Sequence, residues 1–362
     1  MLKYKISLVG SLRFELIEAW KDKTYNVKFT EHINGQKVSM YECNMEKSWW
    51  ASVHDRKYLS DYHIEIWDGT FLREDISFLK YLKGKKVFIN FESSSLGDTI
   101  AWIPYCLEFK KVYDCEVIVS TFLNFLFKEE YKELTFVERG VVVENIVAQL
   151  DLGWFYDKAK EPKHPATIPL QSAASNILNL DYKEIPSKVH FEPKARPIED
   201  KYVTISTHST SGLKYWKKEY WQTIIDYLND KGYKVVEISK DATDLNNLEP
   251  MHDKSLQNTM NFIHHSSFFI GLSSGLSWLS WAMNKKVIMI ANFTRFDHEF
   301  QSNCVRITDQ SVCHGCWNDP KFKFNKGNWN YCPEHEDTPR QFECHNNIKP
   351  ERLLFEIDKL IM

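Results

Sequence analysis

Alternating strand and helix patterns from residue 85 to about 310 predict an α/β protein with two Rossmann-like domains facing each other across a cleft. A β-rich domain is expected ahead of them, because residues 1–80 consist of short alternating runs broken by polar turns. Four closely spaced cysteines near the end predict a metal-binding finger. The expected boundaries are 1–80 for the β-rich domain, 81–195 and 196–310 for the Rossmann-like domains, 311–348 for the finger and 349–362 for a C-terminal helix.

In the first stretch KYKISLVG, FELIEAW, TYNVKFTEHI, QKVSMYEC and YHIEIWDG read as strands of a small antiparallel unit, a barrel or a sandwich. From Lys85 the texture changes. KKVFINF is a compact buried strand, SSSLGD a turn, TIAWIPYCLEFKKVY a helix and CEVIVST a second buried strand, which together make a βαβ unit. VERGVVVENIV is expected to be strand-like, and the proline-rich segment from about Lys158 to Lys201 an inter-domain connection. A second series starts near Lys201: strand KYVTISTHS, helix KEYWQTIIDYLNDKGY with Gly232 at its C-terminus, strand YKVVEIS, helix SLQNTMNFIHHS, strand SFFIGL, helix SGLSWLSWAMNK and strand KVIMIAN.

Composition narrows the class. The chain has 362 residues with 43% apolar content and a formal net charge of −3. So balanced a charge leaves no large excess of Lys and Arg to neutralise phosphates, which argues against a dedicated nucleic-acid binder. No apolar run is long enough to span a membrane. The N-terminal MLKYKISLVG leads straight into polar sequence and does not read as a secretory signal, so a reducing, cytoplasmic setting is expected, without disulfides.

Cys313, Cys316, Cys332 and Cys344 follow the pattern C-x2-C-x15-C-x11-C. A C-x2-C pair sets two thiolates on one tight turn, at adjacent corners of a tetrahedron, and two later cysteines close it. The intervening segment is rich in Asn, Lys, Gly and Pro and has no core of its own, so a bound ion would supply its folding free energy. Thiolates suit iron and zinc alike. With four thiols available, His314, His335 and His345 are expected outside the ligand set. A closed four-thiolate site leaves no position for water or substrate, so the metal is expected to be structural.

Ligands of doubly wound sheets sit beyond the C-terminal ends of strands, which directs attention to three loops. GLSSGLSW (271–278) places Ser273, Ser274, Gly275, Leu276 and Ser277 at a helix start, where uncovered amides and the helix dipole favour an anion; an ordinary serine-capped helix reads the same way. STHSTSGLKYW (206–216) offers the hydroxyls of Thr207, Ser209, Thr210 and Ser211 and the charge of Lys214, or is a solvated loop. Together the two loops point to a nucleotide diphosphate. In SSSLGDTIAW (93–102), Asp98 is either a dipole-stabilised helix-start carboxylate or a general base for an acceptor hydroxyl. Neither GxGxxG nor GxxxxGK[ST] occurs, so hydride transfer and P-loop hydrolysis lack their signatures.

At these residues the chain resembles the heptosyltransferases of the GT-B glycosyltransferases. SSLGDTIAWIP is similar to the turn that holds their acidic base, and SGLSWLSWA to the helix start that binds the donor pyrophosphate, although Ser273 and Trp278 stand where that superfamily often has Asp and His. HGCWND, CPEH and QFEC narrow the resemblance to the bacterial autotransporter heptosyltransferases. That resemblance implies a protein O-glycosyltransferase with ADP-heptose as donor, serines of a β-helical protein as acceptor, iron (or zinc) in the finger, and a ring-like homo-oligomer. It also implies that residues 81–195 are the acceptor side and 196–310 the donor side. Two rivals stay open: a GT-B transferase using another nucleotide sugar or a glycan or lipid acceptor, and a non-enzymatic metal-finger interaction protein.

Overall fold

The computed structural model describes residues 2–19, 23–33, 35–53, 57–156, 163–241, 243–322 and 331–361. The expected start of the inter-domain connection at Lys158 lies outside them, as do Phe324 and Trp329 between the second and third finger cysteines. The chain divides into two compact units. One comprises Met1–Ser94, Trp102–Lys163 and Ser172–Lys183; the other comprises Ser95–Ala101, His164–Gln171 and Glu184–Met362.

The first unit begins with strands β1 (Lys3–Val9), β2 (Ser11–Glu18), β3 (Tyr25–Ile33), β4 (Gln36–Met45), β5 (Trp50–Val53), β6 (Asp61–Asp68) and β7 (Phe71–Ser77), then a single helical turn α1 (Phe78–Tyr81). Period-2 patterning makes them strands: Tyr25, Val27 and Phe29 of β3 and Tyr62, Ile64 and Ile66 of β6 are buried while their alternates are not uniformly so. β8 (Lys86–Phe91), α2 (Leu96–Tyr113), β9 (Glu116–Ser120), β10 (Thr135–Phe136), β11 (Ala148–Leu152) and α3 (Leu170–Ile177) follow.

Two sheets result, one ordered β10-β9-β8-β11-β1-β2-β5 and one β4-β3-β6-β7. The first 80 residues therefore form neither a closed barrel nor a separate sheet system. β1 pairs in parallel with β11, and the β1–β2–β5 ribbon extends the parallel strands, while only β3, β4, β6 and β7 make an antiparallel sheet of their own. VERGVVVENIV is also not a strand: only Thr135–Phe136 and Ala148–Leu152 pair, and Val141 and Val142 are exposed. β-Branched composition fits a pleated, half-buried surface; here only the ends make backbone bonds to strands, Val137 N–H to the Val119 carbonyl and Val147 N–H to the Lys86 carbonyl.

The second unit is built on β12 (Tyr202–Ser206), α4 (Lys218–Asp230), β13 (Lys234–Glu237), α5 (Leu256–His265), β14 (Phe269–Leu272), α6 (Gly275–Ala282), β15 (Val287–Ile290) and β16 (Cys304–Ile307), ending in α7 (Glu343–Asn346) and α8 (Pro350–Ile361). Its sheet is wholly parallel, in the order β13-β12-β14-β15-β16. Such strands are buried on both faces, which explains the continuous apolar runs YVTI, FIGL and VIMI. Trp221, Ile224, Ile225 and Leu228 of α4 and Leu353 and Ile357 of α8 share one core with Val203, Ile205, Ile270 and Ile288. Each such fully buried aliphatic side chain contributes about 1.5–3 kcal/mol. Gly232, just past α4, has φ +79°, the left-handed conformation that ends a helix. No helix among the described residues is long and apolar enough to cross a membrane.

Candidate active site and metal centre

β14 ends in Ser273, Ser274 and Gly275, and α6 starts at once, so its first amides have no intrahelical acceptor. Ser274 occupies the cap position without a side-chain cap bond, and its buried hydroxyl has no partner among the described residues. The hydroxyls on either side are committed elsewhere. Ser273 Oγ donates to Glu299, and Ser277 Oγ donates to the Leu272 carbonyl. What this loop offers an anion is therefore the amides of Gly275, Leu276 and Ser277 with the Ser274 hydroxyl.

Lys214 ends a 3-10 turn, Gly212–Lys214, on the neighbouring β12 loop. Its Nζ donates to the Ser273 carbonyl at 2.7 Å and stands 5.5 Å over the Phe293 ring. Burial holds its pKa below the ordinary lysine value, while the charges of Glu299 and Asp98 oppose that shift. Beneath lies a buried ion pair absent from the sequence reading. Glu299 accepts from Ser273, from Thr294 Oγ1 at 3.0 Å and from Arg306, whose Nη2 also donates to Thr294 Oγ1 at 2.7 Å. Burial alone would raise the Glu299 pKa, but Arg306, His298 and the Ser273 hydroxyl together bring it down to about 2.

The rest of the β12 loop is used unevenly. Thr207 N–H donates to Glu237 Oε1 at 3.4 Å and Ser239 N–H to the same oxygen at 2.8 Å; the second Glu237 oxygen is buried without a partner among the described residues. Burial raises the Glu237 pKa despite these bonds. Ser209 contributes only its carbonyl, to Tyr215 at 3.1 Å, and Thr210 is exposed.

Asp98 lies in the first turn of α2, almost fully buried, its N–H donating to Ser95 Oγ at 3.4 Å. Within the second unit the starts of α2 and α6 meet glycine to glycine. A Cβ on Gly97 would stand 3.5 Å from Gly275 Cα and 3.3 Å from Trp278 Cδ1, and one on Gly275 would stand 3.2 Å from Leu96 Cβ. Trp278 is itself fixed edge-on to Trp281 and Phe300 at 5.5 and 4.9 Å. This approach puts the Asp98 carboxylate within electrostatic reach of Lys214. A carboxylate, a cation and the amides of a helix start then occupy one locality, which suits proton removal beside an anionic leaving group.

The four cysteines of the finger are all free thiols. Gly315, between Cys313 and Cys316, has φ +70° and an added Cβ would stand 3.1 Å from Arg295 Cγ, so the C-x2-C turn needs glycine there. Burial pushes the Cys344 thiol up to about 12 and raises that of Cys316 further, and each is raised again by the other cysteines of the set. Thiolates that repel one another in a dry site are what a cation in their midst relieves, so this donor set fits a thiophilic metal. His314 is exposed, as expected. His335 lies beside the set: its ring, Cys313 Sγ and a Glu343 oxygen lie within 4.8 Å of one another. His345 is buried, its Nδ1 3.3 Å from Cys344 Sγ and its Nε2 unpartnered among the described residues.

With this geometry in place, likeness to known proteins becomes informative. A family model described as glycosyltransferase family 9 (heptosyltransferase) matches residues 171–328. Autotransporter heptosyltransferase Aah of Escherichia coli is 30% identical over 321 residues, spanning 84% of this chain and 81% of Aah. A crystal structure of TibC, described as a dodecameric iron-containing heptosyltransferase in complex with ADP-D-β-D-heptose, matches with a TM-score of 0.82 at 27% identity, over 99% of this chain and 95% of that one. A relative from Burkholderia thailandensis, 28% identical over 316 residues and covering 82% of this chain and 74% of its own, is named BimC, an inactive autotransporter heptosyltransferase. The architecture is accordingly GT-B.

Proposed function

We propose that this chain, which belongs to the autotransporter heptosyltransferase family of glycosyltransferases, transfers a heptosyl group from ADP-heptose to serine hydroxyls of a β-helical autotransporter protein. The observation that carries the reading is the meeting of α2 and α6 at Gly97 and Gly275, which gathers Asp98, Lys214 and the bare amides of 275–277. ADP-heptose in TibC supports the donor. BimC, named an inactive member, makes turnover the property to test in this chain.

In the reaction the bond from the sugar carbon to the diphosphate oxygen breaks and a new bond forms to the acceptor oxygen. Asp98 takes the hydroxyl proton, and ADP leaves with its added charge held by Lys214 and the α6 amides. Ser274 adds one hydroxyl donor to the same phosphates, and the free oxygen of Glu237 is suited to accept from a nucleoside hydroxyl. Cys313, Cys316, Cys332 and Cys344 hold one structural metal, iron by analogy with TibC, and contribute no step. The TibC dodecamer supports a homo-oligomer, and free thiols suit work in the cytoplasm.

Transfer assays with a panel of nucleotide sugars and a co-expressed autotransporter acceptor test this. Heptosyl-serine formed only from ADP-heptose is expected. Transfer from another donor, or to a lipid, selects the alternative transferase, and no turnover with any donor places the chain beside BimC.

A further inference from the structure

On the antiparallel sheet of the first unit, far along the chain from the finger, strand register brings a second set of metal-ligating groups to one face. His32 pairs with Asp61, Thr30 with His63, His63 with Ser77 and Glu65 with Asp75. Side chains alternate along a strand, so His32, Asp61, His63, Asp75 and Ser77 all stand on the face opposite the buried Phe29, Ile64 and Ile66. The imidazoles of His32 and His63 stack with centroids 4.0 Å apart. His63 Nε2 is 3.3 Å from Asp61 Oδ1, His32 Nδ1 is 3.8 Å from Asp61 Oδ2, and one ligand atom from each of the three residues lies within 4.8 Å of the others.

The other nitrogen of His63 makes this more than a cross-strand polar cluster. Nδ1 is 2.7 Å from Asp75 Oδ1, the distance of a strong hydrogen bond, which assigns the ring proton to Nδ1. That bond holds the ring with Nε2 turned to Asp61 Oδ1, an oxygen that also accepts from Ser77 Oγ at 3.3 Å. Among the described residues no Lys or Arg forms an ion pair with Asp61 or Asp75, and Lys37 on the adjacent strand is taken by Glu65. Two carboxylates and two imidazoles thus share a half-exposed site that is short of positive charge.

We propose that His32, Asp61 and His63 form a second metal site for a divalent transition ion, with zinc the best match to imidazole and carboxylate ligands. Two ligands about 2.1 Å from one zinc ion in tetrahedral array stand about 3.4 Å apart, which is the spacing His63 Nε2 and Asp61 Oδ1 already have. Asp75 orients His63 from behind, the outer carboxylate that commonly accompanies a ligand histidine. Three protein ligands leave a position open toward solvent for water or a donor group from another chain. The ion pins β3 to β6 and is independent of the finger.

Titration of the full-length protein, with its finger metal in place, with cobalt(II) and then zinc tests the proposal. One ion per chain beyond the finger metal is expected, giving a cobalt spectrum without a thiolate charge-transfer band. His63→Gln and His32→Gln should each abolish this binding while leaving the finger metal and the circular dichroism unchanged. Asp75→Asn should weaken it about 10–100-fold, the effect typical of an outer carboxylate. No additional ion, an ion that persists in both histidine variants, or a cobalt spectrum with thiolate bands overturns the site. The first of these is what a protonated His63 clamped between Asp61 and Asp75 would give.

Discussion

Helices α2 and α6 both follow a buried parallel strand through a short turn of serine and glycine, yet one start presents a carboxylate and the other bare amides. Asp98 fills the first turn of α2, where the dipole stabilises its charge. α6 has no acidic residue in its first turn, and the hydroxyls of Ser273 and Ser277 are tied down, so its dipole stays available to a ligand. The difference teaches that a Ser/Gly-rich helix start is not itself a phosphate site. The hydrogen bonds that consume or spare its polar groups decide that, and here Glu299 consumes one hydroxyl while the first-turn amides have no intrahelical acceptor.

Breaking the support beneath α6 should have the largest effect. Glu299→Gln leaves Arg306 buried without its counter-charge, and a denaturant melt should show a loss of about 3–5 kcal/mol. The Glu299 pKa falls from an ordinary 4.5 to about 2, so its contribution is fully present above pH 4.5 and is lost as pH drops towards 2. The stability gap between wild type and Glu299→Gln should therefore narrow over that window and be constant above it. A gap unchanged down to pH 2 would mean that Glu299 is not the ionised partner.

Lys214→Ala removes a cation from beside the α6 amides without touching the α2 start. A charge-assisted bond contributes about 1.5–3 kcal/mol, so ADP-heptose affinity and turnover should fall together about 10–150-fold. Unchanged kinetics would take Lys214 out of the site and leave it as a tie to Ser273. The smallest effect sharpens the contrast: Ser277→Ala loses a buried bond to the Leu272 carbonyl, about 1 kcal/mol in stability, with no change in donor affinity. A large loss of affinity would show that the hydroxyl, not the amide, meets the phosphate.

The parallel sheet of the second unit was legible because buried strands leave unbroken apolar runs such as VIMI, and its helices because α4 carries one apolar stripe. The first 80 residues were legible as strands but not in their pairing. Nothing in KYKISLV announces that β1 joins β11, roughly 140 residues away, rather than closing a barrel with its neighbours. The four-residue strands β5 and β16 are too short for a period to register. The thiol set and the two glycine turns stood out because their chemistry lies in local spacing. Glu299, Arg306, Glu237 and the His32–Asp61–His63 group did not, since each acquires meaning only from residues brought near by the fold.

The contrast between the two helix starts rests finally on Asp98 acting as a base and not as a cap. Asp98→Asn keeps the shape and can still accept a hydrogen bond, but it cannot take a proton. The measurement is ADP-heptose affinity and single-turnover transfer to an acceptor serine on the same preparation of the mutant. Donor affinity close to wild type with transfer slowed about 10²–10⁴-fold is expected of a lost general base. Normal transfer would contradict the account and return Asp98 to a helix-start carboxylate.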